Sequence, residues 1–164
     1  MLTMRRFLVP VVCVALSASL ASAAESTLTA DFNLQRVKPN GAIVVLRTLA
    51  GTRQIVAVDD HTVRVSDDES KIAVARTLVG LIEKPAEDSV TVQLADGSTI
   101  AMASLRRASA RDVLTALRTK LQIRRIATIE GDGSMSSLVL VRDSDEQAQE
   151  ALKLIAEMDG GDNP

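Results

Sequence analysis

Apolar residues recur along this chain with two alternating periods, and the order of those periods is written twice. Ala42, Val45, Leu46 and Leu49 fall three or four apart, the spacing of a helix with one buried face, and Pro39 stands where a missing N–H costs nothing in a first helical turn. Gly51 sits where a left-handed cap closes such a helix. Ile55 to Val58 then reads as a short buried strand, Asp59-Asp60-His61 as a turn, and Thr62 to Val65 as its antiparallel partner. Ser66-Asp67-Asp68-Glu69 has the form of a capping box, with the serine as cap, ahead of a second helix buried through Ile72, Ala75, Leu78, Val79 and Ile82 and stopped by Pro85. Thr27 to Val37 supplies a leading strand.

The second half repeats the order. Thr99 to Ala103 is the leading strand, and Ser109, with Asp112 three residues on, opens a helix carrying Val113, Leu114, Leu117 and Leu121. Ile123 to Ile129 and Leu138 to Val141 form the hairpin. Asp143 or Ser144 caps a last helix buried through Ala148, Ala151, Leu152, Ile155 and Met158. Aligned without a gap at an offset of 71, the copies share Leu34/Leu105, Arg36/Arg107, Leu46/Leu117, Arg47/Arg118, Thr48/Thr119, Arg53/Arg124 and Ile55/Ile126. Extra turn-forming residues around Gly131 to Met135 raise the offset to 76, and Val63/Val139, Val65/Val141, Asp67/Asp143, Ala75/Ala151 and Leu78/Leu154 then match. Val90, Val92 and Leu94 alternate before Asp96-Gly97, a hairpin turn signal, so the strand at 89–94 has no equivalent and either extends a sheet or bridges the copies.

The fold class expected is α+β: two tandem βαββα modules, each with two helices on one face of a small three-stranded sheet, plus an extra hairpin strand between them. The divisions are 1–24, a signal peptide; 27–84, the first module; 85–97, a linker with the extra strand; 98–159, the second module; and 160–164, a disordered tail. Helices this short do not hold alone in water, and a cysteine-free unit of such size is marginal, so the copies are expected to support each other.

The first residues have a different character. Arg5 and Arg6 precede an apolar run from Phe7 to Leu16, and Ala21-Ser22-Ala23 or Ser22-Ala23-Ala24 offers small-residue cleavage sites. Export to the periplasm or beyond follows, with a retained anchor as the alternative. Cys13 is the one cysteine and lies in that run, so the exported chain carries no disulfide. Loss of Arg5 and Arg6 leaves 17 basic residues against 21 acidic ones, a balance that gives no basic stripe for nucleic acid. Phe32 is then the single aromatic residue, which disfavours stacking on bases or sugars and aromatic cages for methylammonium groups.

Helix, Leu-Arg-Thr, Arg-x-Ile, hairpin, an acidic cap at Asp67 or Asp143, and a second helix ending in Ile-Glu-Lys-Pro (82–85) or Met-Asp (158–159) resembles the periplasmic N-terminal ring-building (short, NolW-like) domains of secretins. Those domains are related to the signalling domain of TonB-dependent receptors. The resemblance covers nearly all of the chain after the signal peptide. It implies stacking in the periplasm, contact with exported cargo or envelope proteins, and no chemistry. No stretch here corresponds to the β-rich secretin channel, so a free-standing module, accessory to a secretin-type assembly or self-associating, is expected. Gln122 stands where Gly51 does, a departure from the tight turn of the first copy.

Candidate chemistry is sparse. His61 beside Asp59 and Asp60 has too few ligands for a metal site and reads as a solvated turn. Asp67 to Glu69 and Asp143 to Glu146 lack the spacing of a calcium loop and lie at helix starts. Gly131-Asp132-Gly133-Ser134 lacks the lysine and the strand-to-helix context of a phosphate loop. The expectation is a non-enzyme with no metal and no cofactor. Arg47, Arg53, Arg118 and Arg124, matched between copies, are the candidate partner contacts; helix-end arginines also meet the helix dipole. A module binding a small ligand or peptide between the copies, and an uncharacterised hydrolase, are the competing readings.

Overall fold

The computed structural model describes residues 27–84, 89–131 and 136–160. Its elements run β1 (Leu28–Asn33), α1 (Pro39–Val45) continuing into a wider π-type turn (Leu46–Ala50), β2 (Gln54–Ala57), β3 (Thr62–Asp67), α2 (Glu69–Ile82), β4 (Ser89–Gln93), β5 (Thr99–Leu105), α3 (Ala110–Lys120), β6 (Ile126–Ile129), β7 (Ser137–Asp143) and α4 (Asp145–Gly160). The fold is α+β, with two antiparallel sheets ordered β1-β3-β2 and β4-β5-β7-β6. Order β5-β7-β6 in the second sheet reproduces β1-β3-β2 in the first. The strand without an equivalent, β4, extends the second sheet by pairing with β5 from Ser89↔Ala103 to Gln93↔Thr99. The expected signal peptide at 1–24, Pro85 and residues 161–164 fall outside the described residues.

Each sheet carries its own two helices, but the two sheets are not buried alike. In the first, Phe32, Val63, Val65 and Ile55 face α1 and α2, while Asp31 and Arg64 on the opposite face form an exposed bidentate pair with both contacts at 2.7 Å. In the second, both faces of the central strands are buried. Ala103, Leu105, Val139 and Val141 pack with Val113, Leu117, Ala151 and Ile155 of their own helices. Ile100, Met102, Leu138 and Leu140, pointing the other way, join the core of the first module with Ala127 and Ile129. The layers therefore run sheet, helices, sheet, helices. The helix pair of the first module lies between two sheets, so α2 buries Leu81 as well as the Ile72, Ala75, Leu78, Ile82 stripe.

The two outer faces of the stack are polar at positions equivalent to those buried at its seam. On α2, Val74, Thr77 and Leu81 are half-buried or buried; at the same offset α4 carries Glu150, Lys153 and Glu157, all exposed. Ile100, Met102, Leu138 and Leu140 correspond to Thr29, Asp31, Thr62 and Arg64 on the open face of the first sheet. Charge and hydroxyls replace hydrocarbon at both ends. An apolar layer packed on either face would desolvate those charges.

Several local expectations are corrected. Ser66 belongs to β3, where its hydroxyl meets that of Thr29 at 2.8 Å, and the cap of α2 is Asp68, whose Oδ1 accepts the Lys71 amide at 2.9 Å. Ser109 caps α3 without a side-chain hydrogen bond. Ser144 Oγ accepts the Gln147 amide at 3.3 Å, and Asp143 accepts the amide of Ser144. The leading strand stops at Asn33 because the next residues turn to meet a carboxylate from α2, and the later strand begins at Ile126 rather than Ile123. Gly160 ends α4 instead of opening a tail.

Gln122 departs from Gly51 in identity, yet its backbone does the same thing: φ is +55° at Gln122 and +71° at Gly51. A left-handed conformation strains a residue with a Cβ by about 1 kcal/mol or more. Replacing Gln122 by glycine should raise stability by up to about 1 kcal/mol in urea denaturation. Leu140→Ala, which opens a cavity where the first module meets the second sheet, should cost about 2–5 kcal/mol by the same measurement.

Candidate functional site

Two polar constructions stand out, and both use carboxylates or arginine to hold backbone groups. The first occurs once per module. After β1 the chain turns, and the amides of Gln35, Arg36 and Val37 donate to the Glu83 carboxylate at 2.8, 3.1 and 3.2 Å. After β5 the amides of Arg106, Arg107 and Ala108 donate to Asp159 at 2.9, 2.7 and 2.8 Å. Three successive amides converge because the turn curls them to one side, and the end of the second helix after it, α2 or α4, delivers the anion. Burial works against ionisation of Asp159, but the amides of Ala108, Arg107 and Arg106 outweigh it and hold the carboxyl below its ordinary range. The work of Glu83 and Asp159 is to tie helix ends to loops.

The second construction joins the modules. Arg142 follows Leu138 and Leu140 on the β7 face that meets the first module, and it is only 7% exposed. Its Nη1 donates to the Leu49 carbonyl at 2.5 Å, Nη2 to Asp96 Oδ2 at 2.6 Å and Nε to Ser98 Oγ at 3.0 Å. Leu49 lies in the π-type turn that continues α1, whose last carbonyls have no helical partner and end inside the interface. Thr52 Oγ1 serves the Leu46 carbonyl of the same turn at 3.1 Å. A guanidinium at this end also meets the negative pole of the helix. Asp96 accepts from the Ser98 hydroxyl and amide and from Arg142, which together lower its carboxyl to about 2.

Arg142 was not singled out by the repeat, because its counterpart at the same offset is Ser66. The available signal was an arginine directly after the run Leu138 to Val141, which is apolar on both faces of the strand. Such a residue needs partners.

The four arginines matched between copies lie elsewhere. Arg47 and Arg118 occupy the last turns of their helices, and Arg53 and Arg124 precede β2 and β6; all four are exposed. The Arg53 amide donates to Asp67 Oδ2 at 3.1 Å. Arg124 lines a shallow depression of about 400 Å³ with Ser98, Gln122, Arg125, Arg142, Asp143 and Ser144. A separate groove of about 300 Å³ runs between α2 and the β4–β5 turn, past Val74, Thr77, Leu94 and Asp96. His61 sits in its turn with its amide donating to Asp59 Oδ1 at 2.7 Å. Among the described residues no group of three or more His, Cys, Asp or Glu side chains is placed to hold a metal ion. No helix among them is long and apolar enough to cross a membrane.

Arg142→Met should cost about 1–3 kcal/mol, chiefly because it leaves the buried Leu49 carbonyl without its donor, and it also removes the partner of Asp96 Oδ2. The pairing with Asp96 is complete above the ordinary carboxyl value of 3.8 and is lost as pH falls through about 2. The penalty of Arg142→Met, followed by urea denaturation across that window, should therefore shrink on acidification.

Comparison with known proteins gives no matching family model and no matching curated protein. Among solved structures, the N-terminal domain of the secretin XcpQ from Pseudomonas aeruginosa is similar at 17% identity over 80% of this chain, with a TM-score of 0.32. A cysteine-mutant dimer of the same domain gives 17% identity over 80%, with a TM-score of 0.30. The chain spans about three fifths of the length of these structures, 61% and 58%.

Proposed function

We propose that this protein is an exported, non-enzymatic scaffold module of the cell envelope, acting by protein–protein contact in the manner of secretin periplasmic domains. The observation that carries the reading is the paired carboxylate tie. Glu83 and Asp159, the helix-end acids of the resemblance, each gather three loop amides, so the shared motif residues serve the framework. What such a framework offers a partner is its exposed surface, including the matched arginines Arg47, Arg53, Arg118 and Arg124. On this reading the chain works in the periplasm, and its partners are envelope proteins, among them a secretin-type assembly.

Cross-linking in intact cells, followed by purification and mass spectrometry, tests the proposal. A secretin-type component should be captured by the natural chain and lost with Arg53→Glu plus Arg124→Glu, while the far-UV spectrum and melting temperature stay unchanged. Capture unaffected by the double reversal would remove these arginines from the interface, and absence of any envelope component would remove the scaffold reading. The groove beside Val74 and Leu94 favours a second reading, a small ligand held between modules. That reading requires a ligand-dependent rise in melting temperature.

A further inference from the structure

The first sheet ends in β2, a strand of four residues, Gln54–Ala57, with no proline and no charge within it. Natural edge strands are commonly blunted by such residues. Instead β2 and the residue after it expose Val56 (56%) and Val58 (47%), two of the four large apolar side chains that stand open among the described residues. A third, Val44, lies on α1, the helix packed beside β2. The Val58 amide donates to the Thr62 carbonyl at 2.8 Å, continuing the β2–β3 ladder. Even-numbered residues of β2 therefore direct their backbone groups to β3, and Ile55 and Ala57 direct theirs to the open edge.

The charges at the two ends of this strand are opposite. Arg53 precedes it and Asp59 and Asp60 follow it, all exposed. A segment with positive charge at one end and negative at the other is complementary to itself when two copies run antiparallel. With Val56 on the two-fold axis, Ile55 of one copy faces Ala57 of the other as a hydrogen-bonded pair, which is the parity the open edge requires. The same register sets Arg53 opposite Asp59, Gln54 opposite Val58, and Val56 opposite Val56 as a close, non-hydrogen-bonded pair.

We infer that two copies of this chain associate through antiparallel pairing of their β2 edges, merging the two three-stranded sheets into one of six strands. The contact is isologous and closed, so it gives a dimer and not a filament. A few residues per strand bury less than a standard interface, so the contact is weak and reversible. This goes beyond the envelope-scaffold reading and does not rest on it, because it needs no other protein.

The test uses the full chain carrying Cys13→Ser, studied by sedimentation equilibrium and oxidative cross-linking. Val56→Cys should form a disulfide-linked dimer on mild oxidation, since axial residues of that register lie about 4.5 Å apart at Cα, within disulfide reach. Asn33→Cys, on the opposite edge strand, should not. Val56→Lys should weaken dimerisation about tenfold or more through like charges across the axis. Arg53→Asp should weaken it too, and adding Asp59→Arg should restore it while each variant keeps the natural melting profile. A chain monomeric at all concentrations, or Asn33→Cys cross-linking as readily as Val56→Cys, would overturn the inference. Neither result would bear on capture of an envelope partner.

Discussion

The burial of β5 and β7 on both faces is the constraint on which the rest of the structure depends. A sheet covered on one side only leaves half of its strands' side chains in water, and the first sheet is built that way, with Asp31 and Arg64 paired on its open face. The second is built as an interior wall. Ile100, Met102, Leu138 and Leu140 on one face, and Ala103, Leu105, Val139 and Val141 on the other, give two separate helix layers something to pack against. Either module alone would be near the lower limit of size at which a chain without disulfide or metal keeps a core. Joined through this wall, they share one.

Sharing a core imposes polar requirements at the seam. The helix α1 ends against the second sheet, where its last carbonyls lose access to water. Thr52 and Arg142 supply donors there, one from each module. Arg142 is a cation nearly out of solvent, and its cost is offset by Asp96 and Ser98 at the rim of the β4–β5 turn. The extra strand β4 thus has a structural reason: the turn that follows it positions the carboxylate that Arg142 requires. A seam fixed by packing and by a three-pronged guanidinium holds the two halves at one angle.

The order of elements was legible in the sequence because the same pattern of apolar positions is read in both halves. Leu46-Arg47-Thr48 and Leu117-Arg118-Thr119, the paired valines of β3 and β7, and the Asp96-Gly97 turn placed the elements in order. What escaped was whatever the copies do differently. The unbroken apolar run from Leu138 to Val141 signals a strand covered on both faces, but nothing local shows that the cover over Leu138 and Leu140 comes from the first half of the chain. Arg142 was hidden because Ser66 holds its place in the first copy. Gln122 looked like a lost turn because identity was compared, whereas the backbone kept φ at +55°. The cap at Asp68 was displaced from Ser66 because β3 runs further than its apolar residues suggest. The four matched arginines were readable as exposed positions, but sequence equivalence alone does not bring residues of two modules to one site.

The sharing of one core is tested most directly by native-state hydrogen exchange in increasing urea. Amides of α1 in the first module and of β7 in the second should converge on one opening free energy and one urea dependence, because neither layer survives without the other. Two distinct free energies, with α1 exchanging through an opening that leaves β7 protected, would contradict it.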